Sequence, residues 1–600
     1  MEVAMFDKSY IDRMFSIYPS IKTLLQESKN VKMARFFVTR YLEELTQVLN
    51  TDKSKIMPVE WLLQASCLTA FRRILSVRSE RVVKFSLLRL LWLLARESHD
   101  QLPSDLDDGF FEEMIHLMHG IKGESHIYDA VPYPRFMSLQ GRESALMRSG
   151  QLDDMMTANA ALMNRYPCGL DADVRTERAR NRERILSFFN ATETDWQDFE
   201  WQKRNVIRDA GTLEKLIDLS EAERAAIQQA RSAKLPFGIT PFYVSLMDRA
   251  GGRSRDHAVR AQVIPPLDYV AAMRTHTHER PQSLDFMMEH DTSPVDLITR
   301  RYPGIVILKP YNTCSQICVY CQRNWEIDDV LMPGAQAADE TVNAAIEWIA
   351  AHPAVTEVLI TGGDPLIMPD ERIHAILKQI AAIEHVERIR IGSRTPVVLP
   401  QRITPELMQI IAAFHEPGRR EIVLITHFEH SYEITPEAMA AVQQFRCRGM
   451  SVYNQTVFTV ENSRRFELVE LRRRLRLIGV DPYYTFNTKG KEETRSYRVP
   501  LARLQQEVNE EARLSPGLVR TDEPVYNVPR LGKNYVRAQH HSLLTILPDG
   551  RRVYEFHPWE KNLALADTYI DIDVSIHEYL QELQRRGENI DDYKTIWYYY

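Results

Sequence analysis

From about residue 300 onward, short apolar runs alternate with longer amphipathic stretches, and this rhythm restricts the fold more than any other feature. The runs are 305–308, 355–361, 388–393, 421–427, 451–457 and 482–486. Helical spacing occupies 339–351, 370–383, 405–414, 436–448 and 467–479 between them. Strand–helix units in series imply parallel strands joined by right-handed crossovers. Six such units suit an α/β fold, a partial (βα)6 barrel whose active site lies at the C-terminal ends of its strands. The polar motifs fall at those ends: TGGDP closes the second run and THFEH the fourth.

Residues 1–185 read differently. The stretch 34–49 sets Phe36, Phe37, Tyr41, Leu42, Leu45 and Val48 at helical spacing, and few segments alternate as strands do. The expected organisation is an N-terminal all-helical domain at 1–185, a helical lead-in at 186–297, the barrel at 298–495 and a covering and tail region at 496–600. The most apolar stretch, 85–95, contains Arg89 and is far shorter than the ~20 residues of a membrane span, so it reads as a buried helix. The opening MEVAMFDKSY lacks the basic start and apolar run of a signal peptide. A net charge of −7 spread along the chain gives no basic surface for nucleic acid. A cytoplasmic protein away from membranes is expected, with a homo-oligomer left open.

The chain has six cysteines, and three of them, Cys314, Cys318 and Cys321, stand in YNTCSQICVYCQR directly after the first strand. That spacing is no disulfide framework. Three thiolates on one loop suit three irons of a 4Fe–4S cube and leave the fourth iron open for chemistry. A structural zinc site would need a fourth ligand, and no Cys or His stands nearby at finger spacing.

CxxxCxxC with an aromatic before its last Cys, placed after the first strand of a partial barrel, resembles the radical S-adenosylmethionine (SAM) superfamily. The resemblance implies that the open iron binds SAM, that Gly362, Gly363 and Asp364 of the GGDP turn contact its methionine moiety, and that a flavodoxin or ferredoxin delivers the electron. Further runs resemble the lysine 2,3-aminomutase family: 196–208, 239–247, 261–265, 298–303, 390–402, 426–430, 454–457 and 481–484. That family implies pyridoxal 5′-phosphate (PLP) as second cofactor and migration of an amino group from Cα to Cβ of an amino acid.

By the same resemblance, Arg323 receives the substrate α-carboxylate, Arg301 binds the PLP phosphate and His427 lies beside SAM or PLP. The second phosphate arginine is replaced by Ile305, for which Lys309 or Arg530 could substitute. Lys533 matches the PLP lysine when the alignment is gapped; without gaps, Val528 takes that place. The two aspartates that hold a lysine substrate's ammonium fall at Lys489 and Asn527, an exchange that favours a glutamate-like substrate. Two alternatives stay open: a PLP-independent radical SAM enzyme acting on another small molecule or peptide, and a non-catalytic partner-binding protein.

Overall fold

The apolar runs of the second half pair in chain order into one curled sheet, in a computed structural model that describes residues 7, 9–51, 58–129, 134–250, 255–277, 279–488, 491–560 and 567–600. Its strands are β1 (Ile298–Thr299), β2 (Ile305–Tyr311), β3 (Glu357–Gly362), β4 (Arg388–Gly392), β5 (Glu421–Thr426), β6 (Ser451–Phe458), β7 (Asp481–Asn487), β8 (Glu523–Val528) and β9 (Gly532–Tyr535). β1 is antiparallel to β2, and each neighbouring pair from β2 to β8 is parallel. The six expected strands are β2 to β7. Helices Asp339–Ala350, Asp370–Ala381, Pro405–Ala412, Pro436–Arg446 and Glu467–Leu477 connect them. Two of these helices begin alike: Thr404 and Thr435 accept the Leu407 and Ala438 N–H groups, with Pro at the first helical position.

Alternation along each strand separates an apolar face from a polar one. Val358, Ile360, Ile389 and Ile391 are buried on one side. On the other, Arg388 pairs with Glu357 and donates to Glu421 at 2.7 Å, and Ser451 donates to Glu421 at 2.9 Å. Arg390, one rung higher, pairs with Glu357 and donates to the Tyr483 hydroxyl at 3.0 Å.

The chain divides into two compact units: 160–498 with 512–533, and 1–159 with 499–511 and 534–600. The expected break at 185 therefore falls at 159. The physical reason lies in the helix Ala172–Phe189, which is bonded into the barrel unit. Arg178 pairs with Glu437 at 3.1 Å, and the Asn181 amide donates to the carbonyls of Ser245 and Met247 at 3.0 and 2.9 Å. The region expected as a single piece at 496–600 is split between the units. In the second unit the antiparallel strands β10 (His541–Ile546), β11 (Arg552–Phe556) and β12 (Tyr569–Ile572) join the N-terminal helices. There Arg552 is fully buried and grips Glu113 with two bonds of 2.9 Å. The apolar stretch near 85–95 is the helix Leu87–Ala95, with both its ends and all six of its leucines buried. Among the described residues no helix is long and apolar enough to cross a membrane.

Candidate active site

The cysteine loop leaves β2 and is clamped from two sides. From the lead-in, the Gly238 carbonyl accepts the Ile317 N–H at 3.0 Å, and the Gln262 carbonyl accepts the Val319 N–H at 2.7 Å. From β3, the Gly363 N–H donates to the Tyr311 carbonyl at 2.8 Å and the Asp364 N–H to the Thr313 carbonyl at 2.9 Å. Gly362 holds φ +117°, and a Cβ on Gly363 would strike the Thr313 backbone, so both positions require glycine. The Asp364 carboxylate is spent within the protein. It accepts from Ser393 Oγ at 2.6 Å and from the N–H groups of Leu366, Arg394 and Thr395 at 3.1, 2.9 and 3.0 Å. GGDP is thus a brace between the cysteine loop and the turn after β4.

The three cysteines are half-buried and none is in a disulfide. They do not all lie within 4.8 Å of one another, the spacing at which one ion could gather them; among the described residues the groups that do are His119–Glu124–His126 and His257–His430–Glu467. Three spread thiolates fit a cube better than a single zinc ion. Burial pushes the Cys314 and Cys318 thiols up, and Arg394 opposes this at Cys318.

Beside the loop lies a charge cluster that the sequence did not announce. Glu289 is buried and accepts from Arg323 Nη1 at 2.6 Å, and Lys309 Nζ lies at 3.3 Å. Arg301 Nη2 lies 3.3 Å from its other oxygen. Burial raises the Glu289 carboxyl, but Arg323, Arg301 and Lys309 outweigh it and hold the group at about 2. Glu326 takes Lys309 at 2.9 Å and Arg323 Nη1 at 3.2 Å. The bonds of Arg323 to these carboxylates all leave from Nη1. Buried Nε of Arg301 has no hydrogen-bond acceptor in the protein, and Nη2 has none besides the Glu289 oxygen.

The suggested substitutes for Ile305 are differently engaged. Lys309 faces the same interior but is bonded to Glu289 and Glu326. Arg530 is 61% exposed and pairs with Asp291 at 2.6 Å. Arg390, paired with Glu357, is a further arginine whose charge reaches Lys533.

Lys533 enters this interior from β9. Its ammonium position lies 4.6 Å from the ring centres of both Tyr302 and Tyr484, with the Tyr302 hydroxyl at 3.5 Å. The Tyr302 hydroxyl also accepts the Lys533 backbone N–H at 2.7 Å. Gly532 permits the approach: its φ is +87°, and a Cβ there would strike that hydroxyl. Burial first, then the charges of Arg390 and Arg301, lower Lys533 from 10.5 to about 8. Asn527 is buried on β8; the pairs Tyr484↔Glu523 and Phe486↔Val525 put it on the same face as Tyr484. Lys489 lies outside the described residues.

His427 Nδ1 faces the Gln455 carbonyl at 3.1 Å. Burial and Arg394 lower it to about 4, so its ring is neutral at physiological pH. His430 is a structural group: Nε2 meets Glu467 at 3.0 Å, and Nδ1 accepts the Tyr432 N–H at 3.0 Å.

The profile of the radical SAM superfamily matches residues 308–469. An uncharacterised KamA family protein of Methanocaldococcus jannaschii is 42% identical over 99% of this chain and 98% of its own. Glutamate 2,3-aminomutase of Clostridioides difficile is 31% identical over 38% of this chain and 49% of its own length. An L-lysine 2,3-aminomutase of Fusobacterium nucleatum is 36% identical over 30% of this chain and 40% of its own. This chain is therefore a member of the KamA family within the radical SAM superfamily, related to amino acid 2,3-aminomutases.

Proposed function

We propose that the protein is a PLP-dependent amino acid 2,3-aminomutase that converts a small acidic α-amino acid, glutamate or a near relative, into its β-isomer. Lys533 carries the reading: a lysine inside the barrel, drawn down to about 8 and lying between two tyrosine rings rather than against a carboxylate. A surface lysine keeps a strongly hydrated ammonium; one with this environment is suited to nucleophilic attachment of a carbonyl cofactor.

When bound, SAM at the 4Fe–4S cluster supplies the hydrogen-abstracting radical and PLP supplies the conjugated ring over which an unpaired electron spreads. The chain's own residues bind and orient. Cys314, Cys318 and Cys321 hold the cluster. Arg301, ion-paired with Glu289 through Nη2, offers its unsatisfied Nε donor to the PLP phosphate. Glu289 and Glu326 fix Arg323 through Nη1 and leave its other edge for the substrate α-carboxylate. His427, held by the Gln455 carbonyl, presents a neutral ring beside the cofactors. Asn527 and Lys489 receive the side-chain carboxylate. A flavodoxin- or ferredoxin-type protein would supply the electron.

A second reading, a PLP-independent radical SAM enzyme, draws on the engagement of Lys309 and Arg530, the two substitutes suggested for the missing phosphate arginine at Ile305. Borohydride reduction of the PLP-loaded enzyme, digestion and mass spectrometry separate the two. The proposal expects one pyridoxyl adduct, on Lys533, and β-amino product from labelled glutamate. No adduct with PLP in excess would sink it in favour of the second reading.

A further inference from the structure

We propose that Arg394 is a positioning residue for the cluster: its guanidinium holds the Cys318 sulfur and raises the potential at which the cluster accepts its electron. Arg394 Nη1 lies 2.8 Å from Cys318 Sγ. The rest of the guanidinium is immobilised. Nε donates to the His427 carbonyl at 3.2 Å; Nη2 donates to Glu433 at 2.6 Å, to the Tyr243 hydroxyl at 3.3 Å and to the Gln262 side-chain oxygen. Glu433 is itself fully buried and held in place. It accepts the N–H groups of Glu429 and His430 at 2.7 and 3.2 Å and the Tyr243 hydroxyl at 2.6 Å. Three sequence runs, 239–247, 261–265 and 390–402, thereby acquire a common purpose, since Tyr243, Gln262 and Arg394 come one from each.

The arrangement treats the cysteines unequally. Cys321 Sγ accepts the peptide N–H of Arg323 at 3.3 Å, a neutral donor, whereas Cys318 receives a charged one. Charge-assisted hydrogen bonds are roughly twice as strong as neutral ones. Reduction of the cube adds one electron, supplied by a one-electron donor, and part of that charge resides on the ligand sulfurs. A cationic donor on a sulfur stabilises the reduced form, and hydrogen bonds to sulfur are among the levers that set cluster potentials. Glu433 partly neutralises Arg394 and so limits the effect.

This inference rests on the cluster and not on PLP. The test is an EPR-monitored redox titration of the full-length, anaerobically reconstituted protein without SAM, with iron content and SAM affinity measured alongside. Arg394→Gln is expected to keep about four irons and to reduce at lower potential. A tenfold fall in the reduced-to-oxidised ratio at fixed ambient potential corresponds to a shift of about 59 mV for one electron. Arg394→Lys, which keeps the charge without the fork, falls between. Glu433→Gln removes the opposing charge and shifts the midpoint upward. A merely structural role would disturb both sites in one direction. An unchanged midpoint in Arg394→Gln, shifts of the same sign in Arg394→Gln and Glu433→Gln, or lost SAM affinity at constant potential overturns the proposal. If Arg394→Gln loses its iron, Glu433→Gln decides: an unchanged or lowered midpoint overturns it. Iron loss in all three variants beside an iron-replete parent makes Arg394 a folding residue and overturns it too. A parent that binds no iron refutes the cluster itself.

Discussion

Lys533 should capture PLP at a pH where ordinary lysines do not. Only the neutral amine attacks a carbonyl. At pH 7.5 a lysine at about 8 is roughly one-quarter neutral, whereas one at 10.5 is about one-thousandth neutral, a ratio of about 240. The sign follows from the depression: capture rises with pH up to about 8 and flattens above it, instead of climbing toward 10.5. Burial and the charges of Arg390 and Arg301 cause the shift, so Arg390→Gln should move the midpoint upward. It also leaves Glu357 with one cation fewer, which pushes in the same direction. The assay mixes PLP with the PLP-free protein at a series of pH values, quenches with borohydride at early times and quantifies the Lys533 peptide. Capture that keeps rising through pH 10, or an adduct spread over surface lysines, would refute the reasoning.

The same depression makes Lys533 costly in the PLP-free protein. The unfolded chain takes up a proton between about 8 and 10.5 that the folded chain refuses, so the penalty is full below pH 8 and disappears as pH rises through 10.5. Lys533→Met should therefore stabilise the PLP-free protein at pH 7 by about 3 kcal/mol, but not at pH 11, in denaturant unfolding. Arg323→Lys keeps the charge but loses the fork, so amino-acid KM should rise at least tenfold with iron content unchanged; unaltered steady-state kinetics would remove Arg323 from the substrate. Gly532→Ala places a side chain at φ +87° against the Tyr302 hydroxyl and should slow Lys533 adduct formation severalfold, read by the same peptide assay. In competition between labelled glutamate and lysine, glutamate should give more β-amino product, and Asn527→Asp should narrow the difference; lysine turnover equal to glutamate's in the parent would exclude an acidic-substrate pocket.

What was legible in the sequence was local. β2 to β7 and their helices lie within a few residues of the apolar runs, because period and β-branched content are properties of each segment by itself. The cysteines are legible for the same reason. β8 escaped notice because EPVYNV opens on a charge and a proline and has little alternation. Glu289 was illegible: its cationic partners Lys309 and Arg323 stand 20 and 34 residues further on, and nothing in MMEHDTSP signals them. GGDP was visible as a turn, but three of the four bonds to Asp364 come from groups 29 to 31 residues away. The second unit's long-range pairing left no trace in the sequence. Arg552 and Glu113 are 439 residues apart, so no periodicity could show that β10 to β12 complete the N-terminal helical unit.

The charge arrangement near Glu289 argues for what the pocket accepts. Glu289 and Glu326 are held by Arg323 and Lys309, and Glu357 by Arg388 and Arg390. Each of these carboxylates is already spent on a cation. The unspent donors are cationic: Nε of Arg301, the outer edge of Arg323, and Lys533 whenever it is protonated. A ligand with a phosphate and a ligand with two carboxylates both meet a field of the right sign. A second ammonium on the substrate would meet the wrong one. At about 4 Å and an effective dielectric near 20, each unscreened like-charge approach costs on the order of 4 kcal/mol, close to a thousandfold in binding. To accept lysine, such a site would first have to free one of its carboxylates, and each is pinned by a guanidinium or an ammonium. An acidic substrate requires no such rearrangement.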